Sequence, residues 1–559
     1  MLAGVGCQAL PVAAQSVPHL STPQPGGMPG LPVMGRVSKV PGGVQITWDG
    51  PSGYYQVFQK ANHLSGNWVA WGQATNLSRT ATIPSAYGKA FFRVSGPAPK
   101  YAGSKICISC HLNLCRYETN TAHAKAYTDP LFKAAGGQNN PACLVCHTVG
   151  YGLKANGIAV GFVSASATPQ FEGVQCENCH GPAANHAAAE DDPSVRPQVE
   201  VAATVCGGCH FATPTQHPND LPTFDEWSAG GHAAVVPAVL SDMSGNSGDI
   251  RNCGVCHSGS ARLALINGKD PASTLANDYN VPQTCAVCHD PHATNNVAPV
   301  QLRNPLFSTQ DFHLPATAVA SVRAFTNQYN ASANINLCAQ CHNDRGAAWT
   351  DTTNAPHHSL QYNMLLGTVG VLASGTQPFS GAHAGRPDAL SGGLYATNQC
   401  ATCHMASDAA GGHDHSLAVN YNACANCHNG DGPSAQAGWS AVLSNQVAVV
   451  IGDLNRWAAG QTNALLVTNG VVAWEYSRPG GLTWQTNAAG AVLSWSLANP
   501  VPFRGPVAAG QARIAPNILK ARFNLYLYLN DGSFGVHNPI YAYQLLDFAD
   551  SCVRQELAN

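Results

Sequence analysis

The sequence predicts a chain of three unlike parts: a small all-β sandwich, then a long core that is mostly α or irregular with little regular secondary structure, then a helical C-terminal region. Three observations predict this. From about 35 to 97, short runs rich in aromatic and β-branched residues alternate with turn residues. Nine copies of the pentapeptide CxxCH follow, with little apolar periodicity between them. Beyond 432 the cysteines stop, Cys552 apart, and apolar residues recur at helical spacing.

Residues 1–34 open with MLAGVGCQALPVAAQS, an apolar run that ends in a small-residue site resembling A-x-A but lacks a basic leader. It reads as a signal-like segment. Cys7 would suit a lipoprotein anchor better if leucine stood where Gly4 does. The linker PQPGGMPGLP follows, and residues 35–98 then read VQITWDG, YYQVFQK, NWVAWGQA, TATIP and FFRVSG. This pattern resembles a fibronectin type III or immunoglobulin-like module, with Trp48, Tyr55, Trp68 and Phe92 as core. Such a module would be a spacer or adhesion element without chemistry of its own.

Residues 99–432 hold the motifs: Cys107, Cys110 and His111; Cys143, Cys146 and His147; Cys176, Cys179 and His180; Cys206, Cys209 and His210; Cys253, Cys256 and His257; Cys285, Cys288 and His289; Cys338, Cys341 and His342; Cys400, Cys403 and His404; Cys424, Cys427 and His428. Zinc knuckles and thioredoxin-like sites also use CxxC, but neither needs a histidine after every copy, and a disulfide framework does not need a fixed two-residue gap. The repeated unit is the attachment signature of c-type haem: two thiols bond the porphyrin edge and the adjacent imidazole ligates iron. Nine covalent haems c are expected. They use eighteen of the 21 cysteines and leave Cys7, Cys115 and Cys552, the last two free or paired.

Composition agrees. Only 10% of residues are charged, net charge is −3, and 55 glycines and 37 prolines favour irregular backbone wrapped around cofactors. Nothing in that balance steers nucleic acid. No later segment has eighteen uninterrupted apolar residues, so no transmembrane span is expected. Residues 433–559 carry WSAVLSNQVAVVIGDLNRWAA, ILKARFNLYLYLND and PIYAYQLLDFADSCV, three helical patterns that would pack on the haem region, with a hairpin or loop at WEYSRPGGLTWQT.

The second axial ligand separates a wire from a catalyst. Methionine is too scarce: six in all, with Met28 and Met34 in the linker. Histidine is not, since fourteen remain after the nine in motifs. His123, His186, His232, His292, His383, His357 or His358, and His413 or His415 lie near attachment motifs, and His313 and His537 complete nine. Of these alternatives His358 and His413 are favoured as ligands, with the choice open. His217 is a further candidate, and His19 and His63 stand outside the haem region.

CISCH followed by TAHAKAY, CLVCHTVGYG, CENCHGPAANH and VCGGCH resembles the tetrahaem cytochrome c family that accepts electrons from hydroxylamine oxidoreductase, over about residues 101–235. CAVCHDPH, HHSLQYNMLLG, CATCHM and ARFNLYLYLNDGSFGVHNP are similar to parts of larger bacterial multihaem respiratory cytochromes. The resemblance implies electron transfer, and implies that the haem on His147 has an open distal face.

The expectation is therefore an extracytoplasmic electron-transfer protein, periplasmic or extracellular and with outer-membrane association left open, whose partners are redox proteins or an extracellular acceptor. Two alternatives stand beside it. One is an oxidoreductase acting on nitrite, hydroxylamine or a sulfur oxyanion at an open haem, although no CxxCK occurs and only residues such as Tyr151 could crosslink. The other is a subunit of a conductive filament or homo-oligomer, with His19 or His63 ligating in trans.

Overall fold

The computed structural model describes six strands between residues 33 and 95, and from 100 onward residues 100–115, 121–155, 157–197, 201–211, 222–273, 279–292, 299–313, 334–407, 412–428, 432–467, 471–478, 482–486, 492–497 and 505–559. Cys7, His19, His63, Trp68 and His217 lie outside them, as does the side chain of Cys115. The chain forms two compact units. One comprises residues 1–225 and 292–294, the other 226–291 and 295–559.

In the first unit, β1 (Val33–Val40), β2 (Gly43–Asp49) and β5 (Thr80–Ile83) form one antiparallel sheet, ordered β1-β2-β5. β4 (Val69–Thr75), β3 (Tyr54–Lys60) and β6 (Phe91–Ser95) form another, ordered β4-β3-β6. Residues two apart on a strand share a face, so Ile46 and Trp48 of β2 and Tyr55 and Val57 of β3 are buried together, with Phe92 partly buried against them.

The rest of this unit is built from short helices. Asn140 caps the Pro141–His147 helix, and Pro141 sits where its missing N–H costs nothing. Tyr101, Tyr127, Phe132, Leu144, Val149, Phe162 and Phe171 form its apolar core. Glu177, the first variable residue of CENCH, is buried. Its carboxylate accepts from the backbone N–H groups of Ala102 (2.9 Å), Gly103 (2.8 Å) and Ala183 (2.7 Å), tying the third motif to the start of the first.

The second unit has its largest core around three long helices, α1 (Gly432–Ala459), α2 (Pro516–Asp531) and α3 (Pro539–Ala558), at the sites the periodicity marks. α2 is buried on nearly every side from Ile518 to Asp531, including the polar Arg522, Asn524, Asn530 and Asp531. Each large side chain so buried contributes about 1.5–3 kcal/mol. Leu360 and Met364 join the same cluster, so the tail and the motif region share one core. Cys552 lies in it as a free thiol, pushed up to about 11 by burial.

Of WEYSRPGGLTWQT, expected as a hairpin or loop, Leu482–Thr486 pairs with Val492–Leu497, while Trp474 and Tyr476 are buried in the helical core. Arg522 is also wholly buried. Its guanidinium lies 4.0 Å from the Tyr476 ring and donates to the carbonyls of Trp474 (3.0 Å) and Glu475 (3.0 Å) and to Gln511 Oε1 (2.8 Å). Among the described residues, no helix is long and apolar enough to cross a membrane.

Candidate metal centres

Each motif is a local structure before it is a site. In a helical turn, residues i and i+3 face the same way, so the two thiols of CxxC emerge side by side. The histidine N–H closes the turn onto the first cysteine carbonyl at 2.9 Å in four motifs: His111 to Cys107, His210 to Cys206, His289 to Cys285 and His342 to Cys338. No disulfide joins any of the eighteen motif cysteines.

The fold then sets imidazoles opposite the motif histidines. In the first unit, ring centroids lie 6.3 Å apart for His111 and His186, 6.0 Å for His210 and His123, and 5.9 Å for His180 and His292. In the second, the separations are 6.1 Å for His342 and His232, 6.5 Å for His289 and His415, 6.1 Å for His428 and His383, and 6.4 Å for His404 and His537. His257 faces both His357 and His358, each at 6.4 Å.

These spacings test whether a metal fits. With a metal–nitrogen bond of about 2 Å and about 1.1 Å from ring centre to nitrogen, two imidazoles on opposite faces of one metal have centroids about 6.3 Å apart. The nine separations bracket that value. They are longer than the 4.2 Å at which His357 and His358 stack directly on each other. Interplanar angles from 10° for His180 and His292 to 80° for His232 and His342 show that no ring-on-ring preference sets the pairs. The donor set suits haem iron.

Hydrogen bonds at the other nitrogen orient the rings. Nδ1 lies 3.0 Å from the Ala126 carbonyl in His147, 2.8 Å from that of Val300 in His289, 2.9 Å from that of Leu417 in His404 and 2.8 Å from that of Val536 in His383. A carbonyl only accepts, so Nδ1 carries the proton and Nε2 keeps its lone pair for a metal. His186 Nδ1 is buried with no hydrogen-bond partner among the described residues. Burial also favours the neutral, ligating imidazole: it lowers His232 and His257 to about 4 and His357 to about 2, assisted by neighbouring histidines, and lowers His123, His186 and His383 as well.

His313 faces two carboxylates: Nδ1 lies 2.7 Å from Asp344 and Nε2 meets Asp311. These hydrogen bonds raise it to about 10 and engage both ring nitrogens. His413 hydrogen-bonds the Met405 carbonyl at 3.0 Å, and it is His415 that stands opposite His289. The partner of most histidines also differs from the motif next to them in sequence. His186 follows His180 but faces His111, and His292 follows His289 but faces His180. The tight CxxCH turn that places one ring leaves the facing ring to a segment from elsewhere in the fold.

At His147 the ring stacks on Phe132, with centroids 4.1 Å apart and planes at 15°. The motifs are also close to one another. In the first unit the Cys146 and Cys209 thiols are hydrogen-bonding neighbours with Cys179 beside them, and Ser104 Oγ lies 3.5 Å from Cys176 Sγ. In the second, Cys256 adjoins Cys341, Cys338 adjoins Cys400, Cys288 neighbours Cys338 and Cys341, and Cys403 neighbours Cys424 and Cys427. Each unit thus carries a continuous series of motifs.

Residues 106–181, which hold the first three motifs, match the family described as Cytochrome c554 and c-prime. The chain is similar to multihaem c-type cytochromes. Cytochrome c-554 of Nitrosomonas europaea is 36% identical over 98 residues, which cover 15% of this chain and 40% of that relative, less than half its length. Two solved structures are also similar: the outer cell wall cytochrome OcwA, with a TM-score of 0.49 and 17% identity over 81% of this chain and 99% of that one, and an undecahaem cytochrome from the S-layer of Carboxydothermus ferrireducens, with a TM-score of 0.46 and 19% identity over 82% and 70%.

Proposed function

We propose that the protein carries electrons outside the cytoplasm through nine covalently attached haems c, most of them held between two histidines. The observation that carries this reading is the spacing of imidazoles: eight motif histidines each face a second one at 5.9–6.5 Å, the span of a metal. The motif cysteines would tether each porphyrin, and the motif histidine would ligate on one face. On the other face would stand His186, His123, His292, His232, His357 or His358, His415, His383 and His537. The bound group supplies a reversible one-electron couple. Two imidazoles per site leave no room for substrate and resist any change of geometry, so the chain's task is to hold neighbouring sites close and fixed.

Residues 35–98 read as a fibronectin III or immunoglobulin-like sandwich, supported by two three-stranded sheets that share one core, and they would place the 99–432 region without adding chemistry. Residues 433–559 would brace it. Haem c attachment puts the protein in the periplasm or beyond, where redox proteins or an extracellular acceptor are its partners. The test is direct. Mass spectrometry of the mature protein should show nine haem additions, and electron paramagnetic resonance should show predominantly low-spin iron. Fewer additions, or mostly high-spin iron that responds to nitrite and hydroxylamine, would overturn the reading.

A further inference from the structure

One short loop backs the second-face histidines of the last two motifs, and it does so with groups of different charge. α2 ends at Asp531, and Gly532, at φ 70°, turns the chain back on itself. The returning segment brings His537 Nδ1 to 2.7 Å from Asp531 Oδ1, while the Val536 carbonyl accepts from His383 Nδ1 at 2.8 Å. His537 faces His404 and His383 faces His428. Cys403 of the first of these motifs neighbours Cys424 and Cys427 of the second. The two adjacent centres therefore differ in the group behind the facing imidazole, a carboxylate in one and a carbonyl in the other.

Asp531 is a demanding group to bury. Its side chain is 1% exposed, and among the described residues its ion-pair partner is His537 alone. Its other oxygen accepts the Ser533 hydroxyl, and Ser533 Oγ also accepts from the His537 backbone N–H at 3.3 Å, so the loop is shaped around the carboxylate. A carboxylate that accepts from Nδ1 makes the imidazole a stronger donor, which favours the oxidised metal, and a buried negative charge acts in the same direction. A neutral carbonyl does much less.

We propose that Asp531 is a positioning residue that holds the reduction potential of the centre on His404 below that of the neighbouring centre on His428. This rests on the bis-histidine reading of both sites. The consequence is a fixed step between the last two motifs. An electron shared by the two centres resides at the His428 site at least ten times as often, a difference of 59 mV for a one-electron couple.

Three variants of the full haem-loaded protein test this by spectroscopic redox titration together with electron paramagnetic resonance. Asp531→Asn keeps an acceptor for Nδ1 and removes the charge. One part in nine of the absorbance change should move upward by at least the tenfold equivalent, with all iron still low-spin. Ser533→Ala strips the hydroxyl from the carboxylate, which then leans harder on His537, so the same component should move downward. This variant decides the matter if the first does not fold. His537→Ala should convert one haem to high spin. If it does, and Asp531→Asn leaves the titration unmoved or both loop variants shift it in one direction, the potential-setting role is overturned and the ligand reading survives. If His537→Ala leaves every haem low-spin, the ligand reading itself fails, and the proposal with it.

Discussion

His415→Ala and His413→Ala separate two histidines that sequence treats as equivalent. The His415 ring centroid lies 6.5 Å from that of His289, with the planes 29° apart, and its Nδ1 hydrogen-bonds the His413 carbonyl at 2.7 Å. His413 turns its own Nδ1 to Met405. On the proposed reading, removing the His415 imidazole deletes one metal bond at one of nine sites, and it leaves the local backbone held, because the N–H at 415 still donates to Glu226 at 2.9 Å. The expected magnitude is therefore one haem in nine converted from low to high spin, with one equivalent of carbon monoxide bound per reduced chain above the wild-type level. His413→Ala should change neither quantity. Quantitative electron paramagnetic resonance and carbon monoxide difference spectra read both. High-spin iron in His413→Ala with His415→Ala unchanged would refute the assignment, and no change in either variant would refute the use of ring separation as a guide to ligation.

Other perturbations follow from the same geometry. His357 and His358 are equally placed against His257, so either single substitution to alanine should leave the low-spin content intact and only the double substitution should open that face; a full conversion in one single variant would show that one ring alone ligates. His313 is raised from 6.5 to about 10 by hydrogen bonds to Asp311 and Asp344, so its contribution to stability is whole below pH 6.5, while the aspartates are ionised, and is lost as pH rises through about 10. The stability gap between wild type and His313→Gln, measured by thermal unfolding, should close across that window, and a gap that widens with pH would contradict it. Arg522→Ala removes the donor to two carbonyls and Gln511 and leaves Glu475 buried beside the hole, which should cost about 3–5 kcal/mol in denaturant unfolding of the helical tail. A loss below about 1 kcal/mol would show that the cluster is not what holds Trp474 and Tyr476 in place.

The motif turns were legible in sequence, because CxxCH is a one-turn device whose two thiols and imidazole are positioned by local backbone alone. The helical tail was legible for a similar reason: α1, α2 and α3 fall on their apolar periods, with Pro516 and Pro539 at the first turns of α2 and α3. The β-module showed itself through alternation, as at Ile46 and Trp48. The groups behind the imidazoles gave no signal, since an aspartate at 531, a carbonyl at 536 and a backbone oxygen at 126 look like any others until a fold aims them.

By itself, then, the sequence determined where the nine CxxCH motifs lie and which residues each brings together, since those contacts span five residues and need no other part of the chain. Only the tertiary structure decided which histidine faces each motif histidine, setting His186 opposite His111, His415 opposite His289 and His537 opposite His404, and turning His313 aside to its two carboxylates. The physical reason is range: a motif histidine is placed by one tight turn of its own segment, whereas the ring facing it is delivered by a distant segment whose path is set by packing and not by any local pattern.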